Sequence, residues 1–299
     1  MIDRRILLAG LAAAPMTACA TAPAVTAAQP AGPDLRVVTY NIWHNQGDWA
    51  ARLPLLVAAI RAEAPDVIGL QEVLEDAAVG LPNQARTLAD ALGGYSVHFV
   101  STDPEGAPRR YGNALLSRLP VLAVDSRKLE PLDDYRTAIR LRVDLAGRAI
   151  DVVNTHLAWQ EDAAPVRARQ IADLTSMLPQ DGAPLIVMGD FNAVQEDAGL
   201  AALTGPRFFS ALPRGSARTT LNPARGHPPR VIDHIFANAA GFAPVSAAVI
   251  GSSPVDGEYP SDHFGVAASM LAGAAVTALV ALWLSRRFGS RHRGPFTAV

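Results

Sequence analysis

The sequence is short of two residues that often shape a fold or a binding surface, with one cysteine and one lysine in 299 positions. With Cys19 alone, no intramolecular disulfide can form, so stability has to come from the core. Lys128 stands single among many arginines, which is a bias of composition rather than a functional signal. Internal repeats are absent, which excludes solenoid and array architectures. No strong positive charge is present either. Residues 34–270 carry 20 basic against 27 acidic side chains, a formal net of −7. A protein that lives on phosphate contacts along nucleic acid usually has the opposite sign, so tight nonspecific binding of that kind is not expected.

What is present is globular. Hydrophobic residues make up 49% and charged residues 18%, enough apolar side chain for one layered core of about 250 residues. The two ends differ from that core. Residues 1–19 place Arg4 and Arg5 before an apolar run and small residues, which reads as an export signal of the twin-arginine kind. Met16 to Cys19 also resembles a bacterial lipobox, in which Cys19 would be lipidated; the plainer reading is a small residue discarded with the signal. Residues 20–33, rich in Ala, Pro and Thr, read as a flexible tether. At the other end, residues 271–284 are apolar apart from Thr277 and are followed by four arginines. Fourteen helical residues span roughly 21 Å, short of a hydrocarbon core of roughly 30 Å. A membrane anchor and a buried amphipathic tail both fit 271–299. An exported, periplasmic or envelope location is expected, with membrane association through Cys19 or residues 271–284. No protein partner is implied, and a monomer is expected.

Between these ends, residues 34–270 read as one catalytic-size unit. Leu35 to Tyr40 forms a buried strand, and Leu53, Leu56, Val57 and Ile60 mark a helix face at i, i+3, i+4 and i+7. Pro54 fits only in that helix's first turn, Ala64 and Pro65 end it, and Asp66 to Leu70 forms a second buried strand. This is a βαβ unit, whose strands should be parallel neighbours. Further segments read as a helix at 84–92, strands at 95–100, 113–117, 138–143 and 149–155, and a helix at 164–178. Strands at 185–188, 231–237 and 264–270 follow. Strands dominate while helices intervene, so two packed sheets with helices outside are predicted.

Polar residues of catalytic type stand at the ends of these apolar strands. Asn41 closes the first and Glu72 the second, which places an amide and a carboxylate at one sheet edge. Oxygen donors of this sort suit Mg²⁺ or Mn²⁺; taken alone, a turn-forming Asn and a solvated Glu explain them as well. His156 ends the strand at 149–155, and Asp190 and Asn192 follow the strand at 185–188. A capped core histidine and a Gly-Asp turn are the bland alternatives. Asp233 and the run Ser261, Asp262, His263 supply a histidine flanked by carboxylates that could fix its tautomer and hold its imidazolium. His234 should point to the opposite face of its strand.

Taken together, TYN, LQE, GNALLSR, NTHL, GDFN, IDH and SDH occur in the order found in the endonuclease/exonuclease/phosphatase superfamily, which residues 35–269 resemble. The resemblance implies a DNase I-like α/β fold, a four-layer α/β/β/α sandwich of two mixed sheets. It also implies a metal-dependent phosphoric ester hydrolase. By resemblance, Asn41, Glu72 and Asp262 contribute to metal binding, while Asp190 and Asn192 orient or activate the attacking water. His263 paired with Asp233 looks like a general base or a phosphate-stabilising imidazole, and His156 like the histidine that helps protonate the leaving oxygen. Arg136 sits where some members place a phosphate-facing arginine, although a surface salt bridge explains it too.

The substrate stays open among nucleic acid, phospholipid head group and sugar or inositol phosphate. The polar segment before His263 carries no aromatic membrane-dipping hairpin, which weighs against a sphingomyelinase, and the negative charge weighs against a nuclease. Arg109, Arg110, Arg225 and Arg230 fall in two predicted loops, where they could favour an anion or be merely solvated. A membrane-tethered binding module of the same fold is the alternative. Glu72, Asp190 and His263 together argue against it, since binding alone needs no such set.

Overall fold

A computed structural model describes residues 34–178 and 180–273. The expected export signal at 1–19 with Cys19, the expected tether at 20–33 and residues 274–299 lie outside the described residues. Among those described, no helix is long and apolar enough to cross a membrane.

In chain order the strands are β1 (Asp34–Asn41), β2 (Val67–Asp76), β3 (Ser96–Ser101), β4 (Arg109–Ser117), β5 (Val121–Lys128) and β6 (Thr137–Leu145). They continue with β7 (Arg148–His156), β8 (Leu185–Asp190), β9 (Phe208–Ser210), β10 (Asp233–Asn238), β11 (Phe242–Ile250) and β12 (Gly265–Ala272). The helices are α1 (Trp49–Glu63), α2 (Gln84–Leu92), α3 (Ala164–Ser176) and the short α4 (Ala201–Thr204). One sheet runs β11-β12-β1-β2-β4-β3 and the other β5-β6-β7-β8-β10-β9.

Period-two alternation decides the layers. Val37 faces the other sheet and Val38 faces helix α1, so each central strand is apolar on both sides. Between the sheets, Val37, Val67 and Met270 meet Leu141, Val152 and Ile186. Leu56, Val57 and Ile60 of α1 cover the first sheet, and Ile171 and Leu174 of α3 cover the second. Each such side chain, once fully buried, contributes about 1.5–3 kcal/mol. The result is the four-layer sandwich of two mixed sheets.

Each sheet contains one parallel pair joined through a helix. β1 and β2 are parallel with Asn41 opposite Gln71, and β7 and β8 are parallel with His156 opposite Asp190. Antiparallel β10 begins at the same end, with Asp233 opposite Asp190. A polar seam runs just below: Asn154 Nδ2 donates to the Leu70 and Ala114 carbonyls, both at 2.9 Å, and Gln71 Nε2 donates to Asn154 Oδ1 at 2.6 Å. The sheets approach so closely there that a Cβ on Gly69 would lie 2.9 Å from the Asn154 side chain.

Several boundaries differ from expectation. Helix α1 starts at Trp49, because Asp48 caps it by accepting from the Ala51 N–H at 3.1 Å. Pro54 therefore lies inside the helix rather than in its first turn. The strand expected to end at Leu70 continues to Asp76 through a bulge, and Arg109 and Arg110 belong to β4 rather than to a loop. The last strand takes Leu271 and Ala272 from the apolar segment, pairing them with Asp34 and Phe242.

Candidate active site

The strand ends carrying Asn41, His156 and Asp190 converge at one edge of the sandwich, with Asp190 at the centre. Its Oδ2 accepts from Asn41 Nδ2 at 3.0 Å, and its Oδ1 from the Asn192 backbone N–H at 2.9 Å. Two imidazoles flank it, His156 Nε2 at 3.5 Å and His263 Nε2 at 3.8 Å from Oδ2. Burial pushes the Asp190 carboxyl up. The His156 and His263 rings and the N–H groups of Asn41 and Asn192 outweigh that push, and the net lies below the ordinary carboxylate range. Gly189 makes this approach possible, since its φ is 147° and a Cβ there would lie 2.0 Å from the Thr155 carbonyl oxygen.

His263 Nδ1 lies 2.9 Å from Asp233 Oδ2. Burial opposes charge on this ring, but Asp233, Asp190 and Asp262 overcome it and hold His263 up at about 10. At rest it is therefore an imidazolium, which suits stabilisation of a phosphoryl group better than abstraction of a proton. Burial raises Asp233 to about 6, against the pull of His263. His156 differs. Burial and the Arg136 charge bring it down to about 3, despite Asp190. Asn192 Nδ2 lies 3.0 Å from His156 Nε2 and 3.1 Å from the Leu157 carbonyl. An amide NH₂ serves both only as donor, so His156 Nε2 accepts and the ring proton sits on Nδ1. The expected proton donor to the leaving oxygen thus stands neutral.

The opposite wall is more open. Glu72 sits in the bulge of β2 with φ 59°, which turns its side chain out of the pleat toward Asn41. Burial, then the charge of Asp262, push its carboxyl up, against the Asn41 N–H. Asn41 Nδ2 reaches Glu72 Oε1 at 3.2 Å, while Asn41 Oδ1 accepts the Trp43 N–H at 3.0 Å. Asn41 thus joins the two carboxylates of Glu72 and Asp190 through its amide N–H groups. Asp262 is held by Ser261 and by His227 Nε2 at 3.3 Å.

Two sets of donors could hold a metal. Asp190, Asp233 and His263 offer atoms within 4.8 Å of one another. The Asp233–His263 hydrogen bond and the imidazolium make that trio a poor cation seat. Glu72 and Asp262, like charges that raise the Glu72 carboxyl, fit a hard divalent ion better.

Several residues here went unnoticed in the sequence. Arg52, fully buried, donates to the carbonyls of Ile42, Trp43, His44, Gln46 and Pro260, tying the loop after Asn41 to the one before Asp262. Its signal was an arginine on the apolar face of a helix. Tyr111 packs edge-on against His44 and lines, with Glu72, a cavity of about 560 Å³. Arg136 lines it too. It is 8% exposed and forms an ion pair with Asp134, Nε to Oδ1 at 3.7 Å, so the salt bridge is present but lies largely buried rather than on the surface. Arg110 and Arg225 are engaged by Glu75 and Glu258. His234 faces the other side, bonded to the Ala193 carbonyl as alternation requires.

A family model described as "Endonuclease/Exonuclease/phosphatase family" matches residues 38–263. No curated protein matches the chain. Among solved structures, an endonuclease/exonuclease/phosphatase from Beutenbergia cavernae is 27% identical, with TM-score 0.64 over 81% of this chain and 72% of its own. D. rerio TDP2 complexed with a single-strand DNA product is 21% identical, with TM-score 0.65 over 79% and 98%. A mannosyl-6-phosphatase from Bacteroides thetaiotaomicron is 18% identical, with TM-score 0.64 over 79% and 99%.

Proposed function

The chain belongs to the endonuclease/exonuclease/phosphatase family, and from that premise we propose that it is a divalent-metal-dependent hydrolase of phosphate esters. The observation that carries this reading is the gathering of Asn41, His156, Asn192 and the His263–Asp233 pair around the buried carboxylate of Asp190. Binding alone needs no such arrangement, whereas hydrolysis needs a proton acceptor, a fixed cation and an orienting amide.

In this reading Glu72 and Asp262 hold Mg²⁺ or Mn²⁺, which when bound offsets charge on the phosphate oxygens. The remaining roles fall to the protein's own side chains. Asp190, kept ionised and aimed by Asn41 and Asn192, accepts the proton of the attacking water as its oxygen bonds phosphorus, and the oxygen released when the ester P–O bond breaks takes a proton from solvent at the open side. The His263 imidazolium, its charge held by Asp233, donates to a phosphoryl oxygen. Neutral His156 and Asn192 fix the position of the group in flight, and Arg136 supplies a second cationic donor. The two solved neighbours named for substrates or products, one holding DNA and one a sugar phosphatase, support the reaction class and leave the alcohol open.

The test uses purified protein stripped with chelator and reloaded with Mg²⁺ or Mn²⁺, assayed on a chromogenic phosphodiester, plasmid DNA, lysophospholipid and sugar phosphates. Hydrolysis of at least one ester that vanishes on chelation and returns with metal is expected. Undiminished hydrolysis in excess chelator, or none on any ester, overturns the reading.

A further inference from the structure

Beside Glu72 lies the cavity of about 560 Å³, within the span of about 300–1,000 Å³ usual for small-molecule sites. Two aromatic side chains stand at it almost bare: Trp159 is 67% exposed and Tyr135 is 70% exposed. Both come from loops, Tyr135 before β6 and Trp159 after β7. An exposed tryptophan and tyrosine at one cavity provide flat apolar faces for a ring. Arg136, buried and ion-paired with Asp134 but with no hydrogen bond at Nε, lines this cavity and acts electrostatically on His156, which places a cation where a phosphate on the ring could be anchored.

The rest of the lining selects the kind of ring. Asp103, Asp133 and Asp134 are hydrogen-bond acceptors at the wall, joined by Gln160. Asp103 and Asp134 are partly engaged, by the Tyr111 N–H and by Gln170, while Asp133 makes no side-chain hydrogen bond among the described residues. Carboxylates accept from hydroxyl groups and repel further phosphates. Arg136 and Arg109, the latter ion-paired with Asp76, are the cations of the wall and are outnumbered by Glu72 and the three aspartates, so a ligand with one phosphate near Arg136 and a neutral, hydroxyl-bearing ring suits it better than a polynucleotide, whose additional charges would meet those aspartates.

Resting on the phosphate-ester reading above, we propose that the cavity between Trp159, Tyr135 and Arg136 is the subsite for the substrate's alcohol, and that this alcohol is a sugar or cyclitol ring. The ring stacks on Trp159, with Tyr135 at its edge, and its hydroxyl groups donate hydrogen bonds to Asp133 and its neighbours. The seat is built by loop residues distinct from those that handle the reacting water.

The whole metal-loaded protein is assayed on glucose 6-phosphate, glycerol 3-phosphate and adenosine 5′-monophosphate. Glucose 6-phosphate should exceed ring-less glycerol 3-phosphate in kcat/KM by about tenfold or more, on the scale of one aromatic stack. Trp159→Ala should bring the two esters within about twofold of each other, mainly through KM. Equal rates on the two esters in the parent, no effect of Trp159→Ala, or preference for the nucleotide overturns the sugar subsite while leaving hydrolysis intact. Hydrolysis of no ester at all removes the catalytic reading instead. The subsite is then decided by saturation-transfer NMR. Transfer to the ring protons of glucose 6-phosphate that disappears in Trp159→Ala supports it, and no transfer to the parent protein overturns it.

Discussion

The two sheets meet at one edge, yet they bring opposite kinds of chemistry to it. The β7-β8-β10 side is sealed: the His156, Asp190 and Asp233 side chains are 6%, 1% and 0% exposed. Their protonation is fixed by one another. The β1-β2 side is opened by the bulge at Glu72, whose side chain keeps 19% exposure beside the cavity of about 560 Å³. Charge set in advance sits where water cannot screen it, and the groups proposed to exchange an ion and a substrate sit on the more exposed side.

Breaking the sealed side should have the largest effect. Asp190→Asn and His263→Ala are each expected to lower turnover by at least about 10²-fold at saturating metal, the scale of one positioned acid or base. Near-parental rates in both would show that the sealed side is structural only. Next comes the seam that holds the two sides in register. Asn154→Leu removes the donor from the Leu70 and Ala114 carbonyls and the acceptor of one Gln71 N–H, whose other bond to Thr39 remains, at about 1–3 kcal/mol for each group left without a partner. A loss of about 3 kcal/mol or more should appear in chemical denaturation, and a domain of this size loses about 2–4 °C in Tm per kcal/mol. An unchanged Tm would mean that the sheets are held by apolar packing alone.

The open side gives a smaller and different response. Glu72→Gln should raise the half-saturating Mg²⁺ concentration by about tenfold or more, with part of the rate regained at high Mg²⁺, because ligand charge sets affinity for hard cations. An unmoved Mg²⁺ dependence would shift the ion to Asp190 and Asp233. The smallest effect sharpens the contrast from outside the site. Burial holds His234 down at about 4, against the Ala193 hydrogen bond, while an unfolded histidine titrates near 6.5. The unfolded chain therefore binds the proton first. The contribution is fully present above pH 6.5 and fades as pH falls toward 4, by about 2 kcal/mol at pH 5. His234→Gln should remove that part of the slope in urea midpoints between pH 7 and 5. An identical slope would mean the ring is already protonated in the fold.

Most of this arrangement can be read from the chain, for a physical reason. Strands such as β1 and β8 are buried on both faces, so they appear as apolar runs, and a polar residue at the end of such a run stands out. Edge strands give no such contrast. β11 alternates weakly and contains Pro244 at a register shift, and β5 is mostly exposed, so neither announces itself. The bulge at Gln71 and Glu72 is equally silent, since no glycine marks the left-handed backbone that Glu72 adopts. Arg52 and Tyr111 take their meaning from partners far along the chain. An arginine in a helix says nothing of the five carbonyls that will surround it.

The seam of Asn154, Gln71 and Thr39 lies beneath the floor, whereas Tyr135 and Trp159 stand on loops above it. Nothing in the seam touches the rim, so the two can diverge separately. Descendants could retarget this scaffold to new alcohols by exchanging a few rim side chains, while the architecture that keeps the reacting groups aligned is inherited intact.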